Sequence, residues 1–122
     1  MNKVVGLLLI MISMVVIAND AVEVNHAIKY KNQLTELNEL GIELHLLMTD
    51  PDDIEQRKQC AVRSHPARDQ TQLIEKQIND SYELGSNQID LVVAAGQVFS
   101  CLYCNPSSAP ACIKAKQTLR DM

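Results

Sequence analysis

The sequence predicts an all-α protein, a small bundle of four to five helices stapled by disulfides, after a cleaved N-terminal signal peptide. Three observations predict this fold class. Apolar residues recur at steps of three and four through most of the chain. Proline, glycine and asparagine fall between the periodic segments, where helices end. Four cysteines lie downstream of a short apolar leader, which is the arrangement of an exported, disulfide-bonded domain.

The leader sets the compartment of everything that follows it. A basic start at Lys3 precedes an uncharged run, Val4–Ala18, that ends in small residues. The run is shorter than the roughly 20 residues that span a bilayer. We therefore expect a signal peptide at residues 1–18 and a single helical domain at residues 19–122. The domain is then periplasmic, or else secreted from the cell, and an uncleaved leader would tether it to a membrane.

The charge of the exported domain restricts its partners. Loss of Lys3 with the leader leaves ten Lys and Arg against fifteen Asp and Glu. Such an acidic surface repels nucleic-acid phosphates and anionic headgroups and attracts basic proteins. We expect a protein partner and no nucleic acid, with a membrane involved only if the leader stays attached.

The first predicted helix is long and carries one apolar stripe. Gly41 within that stripe marks a kink, a close helix crossing or a break. Residues 42–46 also alternate like a strand, but a helix is favoured because a lone strand has no partner elsewhere. Leu40 and Leu47 flank the stripe and predict a homodimer through helix packing. The stripe comprises Ala27, Tyr30, Leu34, Leu37, Gly41, Leu44 and Met48.

Two more helices are predicted in the middle of the chain. The segment Asp50–Asp53 supplies an N-cap at Asp50, a proline at the first helical position and first-turn acids for the second helix, which carries Cys60. That helix should end before Pro66, because proline disfavours helical geometry at the residue preceding it. A third helix then runs to Leu84 and stops at Gly85. Its inward side is predicted to carry Ile74, Ile78 and Tyr82.

The last two predicted helices flank a turn-rich connection. Ser86 or Asn87 caps the fourth helix, whose apolar residues cover nearly all of its circumference and predict a central, most buried position. The connection Asn105–Pro110 follows, and a short last helix closes the chain. This last helix should face inward with Cys112, Ala115 and Leu119.

The four cysteines allow three disulfide connectivities. A bond between Cys101 and Cys104 is disfavoured, because residues three apart on a helix hold their Cβ atoms too far apart. One cysteine of the C-terminal group must then reach Cys60. The preferred set is Cys60–Cys101 with Cys104–Cys112.

The residues that could carry chemistry favour no catalytic, metal or cofactor site. Cys101-x-x-Cys104 lies at a helix C-terminus, where the helix dipole disfavours a thiolate. Asn105 stands where haem attachment requires a histidine, and the histidines lie too far upstream for a zinc set. His45 is expected to be a hydrogen-bonded structural histidine, since no triad partner is spaced around it. We expect no enzyme activity.

The partner-binding surface is expected at loops and helix ends. The acidic corner Asp50, Asp52, Asp53 and Glu55 is the first candidate and the segment Asn105–Pro110 the second. The acids do not form a calcium loop, because the glycine and the terminal glutamate of an EF-hand are missing. Helix capping by these acids is the alternative interpretation.

In organisation, the leader Met1–Ala18, the body of about 100 residues and its cysteine staples resemble the periplasmic immunity proteins that protect bacteria from type VI secreted cell-wall-degrading effectors. The resemblance implies an exported, non-catalytic protein that binds a secreted toxin enzyme, such as a peptidoglycan hydrolase, and blocks its active-site cleft. Two other classes stay open: a structural or assembly component of the cell envelope, possibly membrane-anchored, and a thiol-disulfide redox protein.

Overall fold

The computed structural model describes the backbone of residues 2–122 and the side chains of residues 25–122. The described residues form four α-helices and two single 3₁₀ turns, with no strand among them. This confirms the all-α class and excludes the strand alternative over residues 42–46. The elements are α1 (Asn2–Leu47), α2 (Ile54–Asn79), a 3₁₀ turn (Tyr82–Leu84), α3 (Asn87–Cys101), a second 3₁₀ turn (Pro106–Ser108) and α4 (Ala109–Asp121).

Helix α1 is the long helix that the sequence predicts, and its apolar stripe forms one wall of the core. It packs against α2, α3 and α4. Six of the seven predicted stripe residues are buried, and Met48 lies half-buried just past the helix end. The predicted leader, residues 1–18, lies outside the residues whose side chains are described. Over the part of the chain that the structure describes, no helix is long and apolar enough to cross a membrane.

Helix α2 passes through Pro66, so the prediction of a helix ending before this proline is wrong. Proline in a helix interior removes one hydrogen bond and costs about 3 kcal/mol. Here Pro66 and Val62, whose carbonyl loses the bond, are both exposed, so water can reach that carbonyl. The opposite face stays buried on both sides of the proline, and this burial holds the helix together. The buried residues are Cys60, Ser64, Ala67, Thr71, Ile74 and Ile78.

The predicted third helix is the second half of α2, and it ends five residues early. Ile74 and Ile78 are buried as expected, but Tyr82 is fully exposed and begins a 3₁₀ turn. The side chain of Gln88 explains the early end. Its Nε2 donates to the carbonyls of Ile78 at 2.9 Å and Asn79 at 3.1 Å, and so satisfies the helix terminus.

The chain re-enters the core at Leu84 and turns at Gly85. Leu84 is completely buried, and Gly85 has a φ of 55° with a ψ of −130°, a conformation that glycine adopts without strain. The glycine stop that the sequence predicts is therefore confirmed, although it closes the 3₁₀ turn and not an α-helix.

Helix α3 packs against each of the other three helices, as α1 also does. Its inner side is fully buried, whereas Ile89 and Val93 are exposed on its outer side. The buried inner side agrees with the expected central position, but the apolar residues of α3 do not all enter the core. Those that do are Leu91, Ala94, Ala95 and Val98, followed by Cys101 at the helix end.

Gly41 marks a close helix crossing, one of the three alternatives that the sequence leaves open. A Cβ atom built on Gly41 would overlap Cys101 Sγ and would lie 3.3 Å from the Cys101 carbonyl oxygen. The end of α3 therefore approaches the α1 backbone more closely than any side chain at position 41 would permit. Gly96, in the middle of α3, has open space around it instead.

These two glycines form a matched pair for measuring the crossing. Gly41→Ala should lower the free energy of unfolding by about 1–3 kcal/mol, because overpacking strains a fixed neighbour. Gly96→Ala should raise it by about 0.5–1 kcal/mol, because alanine is the better helix former and meets no neighbour. Urea unfolding of both variants with the disulfides intact measures the difference. Equal effects of the two substitutions would contradict the close crossing.

Candidate functional site

All four cysteines are paired, and their connectivity differs from the preferred one. Disulfides join Cys60 to Cys104, with a Cα–Cα distance of 6.0 Å, and Cys101 to Cys112, with a Cα–Cα distance of 4.6 Å. The expected long-range bond from Cys60 into the C-terminal group is confirmed, and no bond links Cys101 to Cys104. The preferred set, Cys60–Cys101 with Cys104–Cys112, is wrong, because Cys60 pairs with Cys104 and Cys101 pairs with Cys112.

The exchange follows from where α3 ends. Cys101 is the last residue of α3, is fully buried, and faces α1 and α4. Cys104 lies beyond the helix end and turns to the α2 side, where its Sγ accepts a hydrogen bond from Ser64 Oγ at 3.2 Å. The helical spacing that continues the buried face of α3 onto Cys101 is the one sequence feature that could have shown this.

Three residues of α1, which we call the α1 row, hold the disulfide Cys101–Cys112 in place. Asn38 Nδ2 donates to the Cys112 carbonyl at 3.1 Å, and His45 Nε2 bonds the Cys101 carbonyl at 2.9 Å. Gly41 lies between them, against Cys101 Sγ. Because a carbonyl only accepts, His45 Nε2 carries the hydrogen. This confirms the expectation that His45 is a hydrogen-bonded structural residue.

The same place resembles a metal site in its composition. Among the described residues, His45, Cys101 and Cys112 bring ligand-type atoms within 4.8 Å of one another. The two sulfurs are bonded to each other, and His45 Nε2 already binds a carbonyl. Since metals bind thiolates, the oxidised pair offers no such ligand, and the cluster is a structural disulfide with its supporting histidine.

The four predicted partner-binding acids lie together at the turn from α1 to α2, which we call the acidic turn. Two of them also hold the turn. Asp53 Oδ1 caps α2 by accepting from the backbone N–H of Glu55 at 2.9 Å and of Gln56 at 3.3 Å. Asp50 Oδ1 accepts from Asp52 N at 3.0 Å. The capping interpretation is therefore correct for part of the cluster, while Asp50, Asp52 and Glu55 stay exposed.

Two exposed apolar side chains flank the acidic turn. Leu47, the last residue of α1, is 59% exposed, and Ile54, the first residue of α2, is 63% exposed. A shallow hollow of about 120 Å³ lies between the two helices below them, with Leu44 and Met48 in its wall. Sequence reasoning placed Leu47 in a dimer interface and did not single out Ile54, although a residue directly after an N-cap lies at the outer end of its helix.

The second predicted contact segment, Asn105–Pro110, forms a compact turn. Asn105 Oδ1 accepts from Ser107 N at 3.2 Å and starts the 3₁₀ turn that precedes α4. Ser107 and Pro110 line a shallow hollow against the exposed Gly96 side of α3. No residue of the acidic turn lines this hollow, so the two candidate segments do not share it.

A groove between α1 and α4 was missed by sequence reasoning. It consists of two hollows, of about 470 Å³ and 290 Å³, that share Ile42 and Lys116 in their walls. Leu46, at 75% exposed, and Ile113, at 71% exposed, stand at its wider part. These residues come together only because α1 packs against α4, which begins more than sixty positions after α1 ends. No local sequence pattern could therefore show the groove.

No protein-family model, curated protein or solved structure matches this chain.

The connectivity predicts which thiol a single substitution releases. In Cys60→Ser, Cys104 should be the free thiol, and alkylation followed by fragmentation mass spectrometry under non-reducing conditions should place the label there. In Cys112→Ser, the label should move to Cys101, because these two form the other bond. A label on Cys101 or Cys112 in Cys60→Ser would contradict the pairing.

Proposed function

We propose that this protein is an exported, non-catalytic binding protein that inhibits a secreted toxin enzyme, as an immunity protein does for a cell-wall-degrading effector. The observation that carries the proposal is the acidic turn, where the apolar side chains of Leu47 and Ile54 stand exposed beside three exposed carboxylates. Apolar anchors within a polar rim are the usual anatomy of a protein-binding surface.

The charge of this surface supports a cationic target. A hydrolase that binds an anionic cell-wall polymer requires a positively charged cleft, and carboxylates at the acidic turn would complement it. The overall charge of −4 acts in the same direction, because it steers the whole molecule towards a positive partner. We therefore propose a peptidoglycan hydrolase as the target. The inhibitor would compete with the cell-wall substrate for the cleft of this enzyme.

The acidic turn is held in shape before any partner binds. Asp50 N donates to Gln56 Oε1 at 2.8 Å, and Gln56 Nε2 donates to Thr49 Oγ1 at 3.1 Å, so the two helix ends are tied across the turn. Further along α2, Cys60 is bonded to Cys104. A surface ordered in advance binds with a smaller loss of conformational entropy.

The compartment and the oligomeric state belong to the same proposal. Two disulfides suit the oxidising periplasm, or the outside of the cell, that the leader predicts. A homodimer through α1 has partial support, because Leu47 is exposed whereas Leu40 packs against the core. Dimerisation through Leu47 would cover part of the acidic turn, so we propose that the inhibitor binds its target as a monomer or exchanges one contact for the other.

The test uses the purified oxidised protein to pull down a peptidoglycan hydrolase from the exporting cell and then measures the purified pair. We expect a one-to-one complex and loss of hydrolysis of isolated peptidoglycan. Leu47→Glu and Ile54→Glu should each weaken the complex by about thirtyfold, the scale of a hot-spot residue. Ile89→Glu is the matched control, since Ile89 is 74% exposed on α3, away from the turn, and should bind like the unaltered protein.

Two outcomes would overturn the proposal. One is the absence of a complex with the hydrolase. The other is a complex that Ile89→Glu weakens as much as Leu47→Glu does, which would show that the acidic turn is not the contact surface.

A further inference from the structure

The groove between α1 and α4 has the length of a site for a peptide segment. Its walls run along α1 from Lys31 to Leu46. At 1.5 Å per residue this is about 22 Å, which an extended chain of about seven residues would span. The smaller and larger hollows adjoin each other, because both are bounded by Ile42 and Lys116.

The groove offers apolar contacts that the free protein leaves in water. Ile42, Leu46 and Ile113 bound its wider hollow, and Leu119 contributes to the wall of the narrower one. Leu46 and Ile113 are each more than two-thirds exposed. Burial of two such side chains by an occupant would supply a large share of the binding free energy of a short segment.

The charge of the groove is opposite to that of the protein. Of the described residues that line it, Lys31, Lys116 and Arg120 are cationic and Glu39 is acidic. The whole chain carries a net charge of −4. Arg120 also lies 3.6 Å from Asp121 Oδ1, but both side chains are mostly exposed, so that pair is weak. An acidic segment is therefore the occupant whose charge the groove complements.

One buried polar atom in the wall of the narrower hollow has no partner. Asn38 lines this hollow and is only 3% exposed. Its Nδ2 is committed to the Cys112 carbonyl, whereas its Oδ1 has no partner among the described residues. The Oδ1 atom is itself buried, so an occupant of the hollow reaches it only if this amide turns towards the hollow. A peptide then supplies the missing donor with a backbone N–H, which an alkyl chain lacks.

From these observations we infer that the α1–α4 groove binds an acidic peptide segment of a partner protein, with apolar side chains against Leu46 and Ile113 and carboxylates against Lys116 and Arg120. This surface is separate from the acidic turn and has the opposite charge. The inference therefore goes beyond the proposed inhibition, and it gives the protein two independent binding surfaces.

The test measures binding of a labelled peptide of about eight residues, long enough to fill the groove, with alternating leucine and glutamate. In an extended chain this alternation places the leucines on one side and the carboxylates on the other. Fluorescence anisotropy should show binding of this peptide and at least about tenfold weaker binding of the leucine–lysine counterpart, the size of effect expected of complementary charge. Ile113→Glu should lower the affinity for the acidic peptide at least as much.

A charge exchange then distinguishes the groove from general attraction. Lys116→Glu with Arg120→Glu should reverse the preference to the lysine peptide. The matched control, Arg57→Glu with Lys76→Glu, changes the net charge equally on exposed positions of α2 and should keep the preference for the acidic peptide. Reversal in both pairs would overturn the inference, as would equal binding of the two peptides.

Two further measurements complete the test. Leu47→Glu should bind the acidic peptide normally, so failure of the hydrolase experiment and failure of the groove can be told apart. Sedimentation measures the oligomeric state of the unaltered protein and of Ile113→Glu. We expect no dimer in the unaltered protein that this substitution converts to monomer. Such a dimer would mean that a second copy occupies the groove, and the inference of a peptide-binding surface would fall.

Discussion

The fold depends on the close approach of α1 to the disulfide Cys101–Cys112. Glycine at position 41 removes the one side chain that would hold the helices apart, and Asn38 and His45 on either side bond the carbonyls of the two cysteines. The end of α3 and the beginning of α4 are thereby fixed to the middle of α1. The second disulfide, Cys60–Cys104, ties α2 to the chain just past the end of α3. The segment of residues 101–104 is therefore linked to α1 by a hydrogen bond and to α2 and α4 by disulfides.

The α1–α4 groove is a consequence of this arrangement, whereas the acidic turn has its own support. The groove lies between the two helices that meet at Cys112, with Cys112 in the wall of its wider hollow and Asn38 in the wall of its narrower one. The acidic turn begins immediately after α1 ends at Leu47 and is stiffened by its own hydrogen bonds through Asp50 and Gln56. A rigid centre with an acidic end and a cationic groove suits the binding role that we propose, because little conformational entropy is lost on association.

Local patterns predicted much of this structure, and the errors arose where distant residues decide. The apolar stripe of α1 and the turn at Gly85 follow from a few neighbouring residues, and both are confirmed. The N-cap of α2 is Asp53 and not Asp50, so Pro51 lies before the helix and not at its first position. Pro66 predicts a helix end, because sequence alone shows neither that the Val62 carbonyl is open to water nor that the buried face of α2 continues past the proline. The early end of α2 depends on Gln88, ten residues away, and the disulfide partners depend on where α3 stops. The acidic cluster was visible in sequence, whereas the groove requires two helices to be packed first.

Position 41 has room for no side chain because the sulfur of Cys101 packs against its Cα atom. The most direct measurement is a double-mutant cycle in urea that compares Gly41→Ala in the unaltered protein with Gly41→Ala in a Cys101→Ala/Cys112→Ala background. Because the overlapping sulfur is absent from that background, the loss of unfolding free energy caused by Gly41→Ala should fall there to less than about half. At least about 0.5–1.5 kcal/mol of the predicted loss then disappears with the sulfur, against an additivity error of about 0.3–0.5 kcal/mol. An equal loss in both backgrounds would contradict the account.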